Sequence, residues 1–247
     1  MSLPVFIHPD LSAAQAGDSI TLSGPEARHA VTVKRMQQGE KLALIDGTGI
    51  RLTLTVTETS GKDHLTGTVE SVTRIPDPNP RVTVVQAIPK SERAELAVDL
   101  ATQAGADEII AWQADRCVAK WDGKKAPKAV AKWQAAAEAA AKQSRRDRIP
   151  QVSSPLTTRQ LVAELTERAE SASVLVLHEE ATESIREVDL RGEVFLLVGP
   201  EGGIGEEELT TLGEAGAVPI KLGPEVLRTA SAAMVALAAI GMRTERW

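Results

Sequence analysis

Between Glu193 and Met234 the chain reads EVFLLVGPEGGIGEEELTTLGEAGAVPIKLGPEVLRTASAAM. Gly-Pro-Glu occurs twice in this stretch, each time directly after a short apolar run. Val194 to Val198 has no polar alternation, which predicts a strand buried on both faces of a parallel sheet. It leads into Gly199-Pro200-Glu201-Gly202-Gly203-Ile204-Gly205, after which Glu206, Glu207 and Glu208 open a helix. Carboxylates in a first turn complement the positive end of the helix dipole, and Gly205 is an acceptable N-cap. The second unit repeats the plan, with Val218 to Leu222, the loop Gly223 to Thr229, and a small-residue helix over Ala230 to Met242.

Two glycine loops at the ends of neighbouring parallel strands let backbone approach a flat ligand closely. A phosphate cradle of the form G-x-x-x-x-G-K-[ST] needs a Lys and a Ser or Thr that are missing here. A dinucleotide fingerprint needs G-x-G-x-x-G at the first strand, and this loop has neither the spacing nor the place. Glu201 and the Glu206–Glu208 run would also repel a pyrophosphate. A nucleoside that is neutral or cationic at its reactive end fits better, and S-adenosylmethionine, a sulfonium without phosphate, is such a molecule.

LLVGPEGGIGEEE followed by LGPEVLRTASAA resembles the C-terminal signature of the knotted SPOUT methyltransferases, and more narrowly the RsmE family, which methylates N3 of a uridine in small-subunit (16S) ribosomal RNA. The family form is roughly GPEGG-F-S-x-x-E, then LG-x-x-ILR-x-E-T-A. This chain has Ile204 for the aromatic, Gly205 for Ser, and Ala230-Ser231 where Glu-Thr is usual. The resemblance extends upstream. HAVTVKRMQQGEKLALIDGTG is similar to the family's N-terminal PUA-like segment, IPKSERAELAVDLATQAGADEI to its first strand–helix–strand unit, and QSRRDRIP to its QS-x-R-x-x-x-P stretch.

The resemblance implies S-adenosylmethionine as cofactor, held by Leu177, Glu179, Gly199, Gly202, Gly203, Ile220, Leu222, Gly223, Leu227, Thr229 and Ala232. It implies RNA contacts at Lys34, Arg35, Lys90, Arg145 and Arg146, a homodimer with the site completed across the interface, and no metal. Uracil N3 is weakly acidic, so its proton needs a base, or its anion a cation. Arg228, between Leu227 and Thr229 at the mouth of the second loop, is the expected cation; Glu201 is the expected base or cofactor-orienting carboxylate, unless it is only a helix-terminus anion. Two other readings stay open: a SPOUT ribose 2′-O-methyltransferase acting on tRNA or large-subunit (23S) RNA, and an RNA-binding relative without catalysis, which Ala230-Ser231 would permit.

The elements that must position these residues are legible as pattern. Residues 1–75 read as short alternating strands, with runs at Ser19–Leu22, Lys41–Ile45 and Leu52–Val56, a hairpin at Asp46–Gly49 and one helix over Glu26–Met36. Together they predict a small PUA-like β-barrel. Three alternating prolines in Ile75–Pro80 mark the boundary. From Arg81 to the C-terminus, strands at Val82–Ile88, Glu108–Trp112, Val174–Leu177, Val194–Val198 and Val218–Leu222 alternate with helices at Glu92–Ala104, Lys128–Ser144, Thr157–Ala169 and Ala230–Met242. Spacing alone predicts a plain doubly wound α/β sheet. The resemblance implies instead a SPOUT trefoil knot, through which the low-bulk final helix could pass.

Composition bounds the rest. At 247 residues with 43% hydrophobic and 25% charged content, the chain is an ordinary globular protein. It carries no run approaching a membrane span and no leader pattern at its N-terminus, so the cytoplasm is the expected compartment. One cysteine, Cys117, excludes an internal disulfide framework and a cysteine-rich metal site, and it reads as a buried small hydrophobe. With 2% aromatic residues and no Tyr, RNA binding cannot lean on stacking platforms. The net charge of −6 hides a basic block: residues 116–148 hold ten Lys and Arg against three acids, while 149–247 hold eight against sixteen. Such a block could grip a phosphate backbone or be a solvated helix face.

Overall fold

The structure, a computed structural model, describes residues 3–90, 93–168, 172–190 and 192–247. Its backbone divides into two compact units, residues 1–77 with 141–149, and residues 78–140 with 150–247.

The first unit is a five-stranded sheet in the order β1 (Val5–Ile7), β3 (Lys41–Ile45), β4 (Ile50–Ser60), β5 (His64–Arg74), β2 (Ser19–Ser23), curled around its own core. β1 runs parallel to β3 and the other pairs are antiparallel. Alternation along β4 sends Leu52, Leu54 and Val56 inward against Phe6, Leu42, Leu44 and Leu65. The expected helix over Glu26–Met36 is shorter. Pro25 starts α1 (Gly24–Arg28), and the chain then widens into a π-helix over His29–Val33, where the Lys34 N–H reaches back five residues to the His29 carbonyl. The segment 141–149 belongs to this unit. Arg51 pairs with Asp147 at 2.6 Å, Lys142 with Glu26 at 2.6 Å, and Ile149 packs on Val5, Ala43 and Ile45. Gly49, at φ +116°, leaves room for Arg148, whose guanidinium would stand 2.6 Å from any Cβ there.

The second unit is a seven-stranded parallel sheet. Its order is β10 (Glu183–Ser184), β12 (Val218–Lys221), β9 (Ala172–Leu177), β11 (Glu193–Val198), β6 (Arg81–Ala87), β7 (Glu108–Gln113), β8 (Gln151–Thr157). The β8 and β10 strands are additions to the five predicted. The helices are α2 (Ala94–Gln103), α3 (Lys125–Ser144), α4 (Thr158–Arg168), α5 (Glu206–Glu214) and α6 (Thr229–Arg243). The predicted helix ends at Glu92 and Ala169 lie outside the described residues. Both faces of β11 are covered, so Val194 to Val198 are all buried, as their unbroken apolar run requires.

Strand order reveals a threaded crossing. The chain leaves β9, makes β10 outside the place that β12 occupies, and returns to begin β11 on the other side of β9. After β12, α6 runs back to pack on α2, β11 and β6. Its last residue, Arg243, donates to the Ile185 and Val188 carbonyls of the encircling segment. A plain doubly wound sheet has no such crossing, and the SPOUT topology replaces that expectation. Small side chains permit the close passage: Ala232, Ala233, Ala236 and Gly241 are buried, and Trp247 packs so tightly on Gly241 that a Cβ there would stand 2.7 Å from the indole.

Two buried ionisable groups hold this unit together. Arg246 donates to Asp107 at 2.8 Å and to the Gly105 carbonyl, with both charged side chains less than a tenth exposed. Glu208, 3% exposed, bridges three elements: its Oε1 accepts the Asp115 N–H at 3.1 Å and the Thr158 hydroxyl, while Trp112 Nε1 donates to Thr158 at 3.0 Å. Burial pushes the Glu208 carboxyl above the usual range, against the hydrogen bonds from the Thr158 hydroxyl and the Asp115 N–H; the Asp115 charge adds to the rise and Arg116 opposes it.

Removing Arg246 leaves the Asp107 carboxylate buried, so Arg246→Ala is expected to cost about 3–5 kcal/mol of stability, read from the denaturant midpoint at unchanged slope. Glu208 gives a pH signature. Its folded carboxyl keeps a proton that the unfolded chain releases, so stability falls as pH rises from the ordinary glutamate range through the raised folded value. Glu208→Gln has no such proton and retains the acceptor oxygen. Its melting temperature should match the wild type near pH 4 and gain on it towards pH 7; a difference independent of pH would refute the assignment.

Candidate active site at the ends of three parallel strands

Leu177 closes β9, with Val198 of β11 beside it on one side and Ile220 of β12 on the other. The His178 N–H donates to the Ile220 carbonyl at 3.0 Å, so β9 and β12 stay paired to their last residues. Both glycine loops leave from these carboxyl ends, where open α/β sheets place ligands. Between them lies a cleft of about 680 Å³. That volume is in the range of small-molecule and cofactor sites.

The first loop is shaped by two close contacts. The Gly203 N–H donates to the Pro200 carbonyl at 2.9 Å, closing a four-residue turn whose last member has φ +71°. Ile204 folds back onto Gly199, where a Cβ would stand 2.8 Å from its Cγ1. The isoleucine that replaces the family aromatic thus fills the turn from within. From outside, Arg116 crosses under the loop: its Nη1 donates to the Gly202 carbonyl at 3.1 Å, and a Cβ on Gly202 would stand 3.3 Å from the Arg116 Cβ. Glu201 points to the loop after β6 and accepts the Lys90 N–H at 3.1 Å.

In the second loop Arg228 is the N-cap of α6. Its carbonyl accepts the N–H groups of Ser231 and Ala232 at 2.9 and 3.0 Å, and its exposed guanidinium has no ion-pair partner among the described residues. Ala230 is 4% exposed and packed inward. Ser231 turns its hydroxyl back to the Arg228 carbonyl at 3.1 Å. Neither residue offers a carboxylate to the cleft.

All thirteen residues expected to act in catalysis or cofactor binding line this one cleft: Arg228 and Glu201, with Leu177, Glu179, Gly199, Gly202, Gly203, Ile220, Leu222, Gly223, Leu227, Thr229 and Ala232. The expected RNA contacts are not gathered in the same way. Lys34 and Arg35 follow the π-helix of the first unit, Arg145 and Arg146 lie in its 141–149 segment, and Lys90 is in the second unit beside Glu201. Arg35 and Arg145 both adopt left-handed backbone, at φ 56° and 60°, a conformation uncommon for residues other than glycine.

Sequence reasoning missed Arg116 and Arg93, both of which line the cleft. Arg116 had a signal: it opens the basic block, just beyond the C-terminal end of β7. Cys117 is buried, 3.7 Å from the Trp112 carbonyl, and burial pushes its thiol up to about 11, so it is a packing residue. Among the described residues no group of three or more His, Cys, Asp or Glu is placed to hold a metal, and no helix is long and apolar enough to cross a membrane. Glu179, Glu180, Glu201, Glu206 and Glu225 line the cleft together with Arg93, Arg116, Lys221 and Arg228, so acids and cations nearly balance, and the first loop carries no P-loop Lys-Ser/Thr pair to cradle a phosphate.

Comparison with known proteins agrees with this geometry. Residues 76–241 match the RNA methyltransferase domain family, and residues 22–70 match the RNA methyltransferase PUA domain family. The ribosomal RNA small subunit methyltransferase E of Mycobacterium bovis is 51% identical, covering 97% of this chain and 90% of that one. The protein of the same name in Bacillus subtilis is 29% identical, covering 97% and 96%. Among solved structures, a methyltransferase-like protein from Legionella pneumophila, described in complex with the cofactor S-adenosylmethionine, superposes with a TM-score of 0.87 at 29% identity and 98% coverage of both chains. Two domain families matched in order, and half-identity along nearly the whole length, carry one conclusion: this chain belongs to the ribosomal RNA small subunit methyltransferase E (RsmE) family of SPOUT RNA methyltransferases.

Proposed function

We propose that this chain transfers a methyl group from S-adenosylmethionine to N3 of one uridine in small-subunit (16S) ribosomal RNA, in the cytoplasm. The observation that carries the reading is the convergence of both glycine loops, with Arg228 and Glu201, on one cleft at the ends of β9, β11 and β12. The cofactor, when bound, supplies a methyl group made electrophilic by sulfonium sulfur. The chain does the rest. Main-chain groups of Leu177, Gly199, Gly202, Leu222 and Leu227 hold the nucleoside and amino-acid parts, because glycine keeps those edges open to close approach.

For the acceptor, N3 must lose its proton and attack with the freed pair. The unpaired Arg228 guanidinium is placed to hold the charge that spreads onto the uracil carbonyl oxygens. Glu201, oriented by the Lys90 N–H, takes the proton or fixes the cofactor's amino group. Residues Lys34, Arg35, Lys90, Arg145 and Arg146 bind RNA phosphates in this reading, sequence-independently and in a salt-sensitive manner.

The homodimer in this reading is supported by α6. From Thr229 to Met242 it bears no charge, yet Met234 and Met242 are 38% and 77% exposed, and Leu96 on the adjoining α2 is 48% exposed. Uncharged, large apolar side chains on one exposed helix mark an interface.

The test is methyl transfer from labelled cofactor to small ribosomal subunits that lack their own modifications, followed by nucleoside digestion. Label in 3-methyluridine is expected, and Arg228→Ala should cut the rate by about 10²–10³ with cofactor affinity retained. Label in a 2′-O-methyl nucleoside would replace the substrate assignment; no label, with cofactor bound, would leave an RNA-binding relative. Light scattering should give twice the 26.3 kDa chain mass, and Met234→Glu should shift it to monomer.

A further inference from the structure

The strongest unassigned feature is a set of lysines ahead of and along the first half of α3. Lys120, Lys124, Lys125, Lys128 and Lys132 are all exposed, and among the described residues none has a carboxylate within ion-pair distance. On α3 itself, Lys125, Lys128 and Lys132 follow i, i+3, i+7 spacing and share one face over ~10 Å. Asp122 is the single acid between Arg116 and Lys132, and the protein as a whole is acidic at −6.

Helix stability does not explain this placement. The first turn of α3 has no acidic residue, and Lys125 and Lys128 in it face the positive end of the helix dipole. Each such cation is unfavourable by about 0.3–1 kcal/mol, the reverse of what the acidic first turn of α5 gains. Nor is the leading segment loose. Gln113 donates to the Ala119 carbonyl at 3.1 Å and accepts the Trp121 N–H at 3.0 Å, and Trp121 sits edge-on against the buried Trp133 of α3 at 4.7 Å. The segment runs directly on from Arg116, which lines the catalytic cleft. Cations are thus fixed on a built segment that starts at the cleft and leads away from it, at a position where they cost the fold.

We propose that Lys125, Lys128 and Lys132 form a track for the phosphate backbone of the RNA whose base enters the cleft. This rests on the reading of the chain as an RNA methyltransferase and adds a contact surface to it. The partner is a polyanion with evenly spaced charges, because the row is linear, unpaired and free of the aromatic side chains that base stacking would need.

The test is the triple variant Lys125→Gln/Lys128→Gln/Lys132→Gln, titrated with RNA purified from small ribosomal subunits at several salt concentrations. Loss of three phosphate contacts should weaken binding roughly tenfold or more at low salt and reduce the slope of log K against log [salt] by about 2. Cofactor affinity should be unchanged, and the melting temperature should hold or rise, since the changes at Lys125 and Lys128 relieve an unfavourable dipole contact. An unchanged salt slope in a variant whose parent methylates RNA would overturn the track alone. A fall in melting temperature with unchanged slope would make the lysines structural. If the unmodified protein neither binds nor methylates this RNA, the methyltransferase reading fails and takes the track with it.

Discussion

The cleft depends on how closely the Gly199–Gly205 turn can be packed. Three strands end side by side, so their loops compete for space around Leu177, and a ligand must still fit between them. The turn is compressed from two sides, by Ile204 against Gly199 and by Arg116 against Gly202. No side chain larger than hydrogen fits at Gly199 without movement. Packing alone therefore holds Gly199 and Gly202 to the smallest residue, because the turn is collapsed onto its neighbours.

From that packing the division of labour follows. Arg116 is held next to Asp115, whose N–H is bound by Glu208 on the helix that the same loop begins. Loop, strand end and helix form a closed ring of contacts: Gly202 to Arg116, Asp115 to Glu208, and Glu208 through the first turn of α5 back to Gly205. The loop's shape is then a property of the buried core rather than of the surface, which suits a site that must present backbone groups rather than adaptable side chains. Arg228 contrasts with this. Its backbone is fixed as the cap of α6, while its guanidinium has no ion-pair partner among the described residues.

Much of this was legible in the sequence because the constraint is local. The run Val194–Val198 names a doubly covered strand, Gly205 and Glu206–Glu208 name a helix start, and the second loop repeats the plan. All thirteen expected cofactor and catalytic positions therefore fall on one cleft. What pattern could not supply was non-local. The insertion of β12 between β9 and β10 leaves no trace in hydrophobic period, and β10 is two residues long. The strand β8 contains Pro155 and only a few apolar residues, so it reads as loop until it pairs at the sheet edge. Membership of Ala141–Ile149 in the first unit is set by pairs such as Arg51–Asp147, ninety-six residues apart. The π-helix at His29–Val33 differs from an α-helix by hydrogen bonds that reach one residue further back, which propensities do not resolve.

The departures from the family motif fit the same logic of close packing. Ala230 replaces a carboxylate and is buried beside Thr229 at the start of α6, in the helix that must pass close to β6, β11 and α2. A glutamate there would carry charge into a nearly closed space and need a partner to offset the burial. Ser231 satisfies itself on the Arg228 carbonyl. The acids at the cleft are those that line it, and among the described residues Glu201 is the one of them that accepts from a backbone donor, the Lys90 N–H. The carboxylate that the cleft does hold in fixed position therefore stands on the first loop, whose geometry the core already determines.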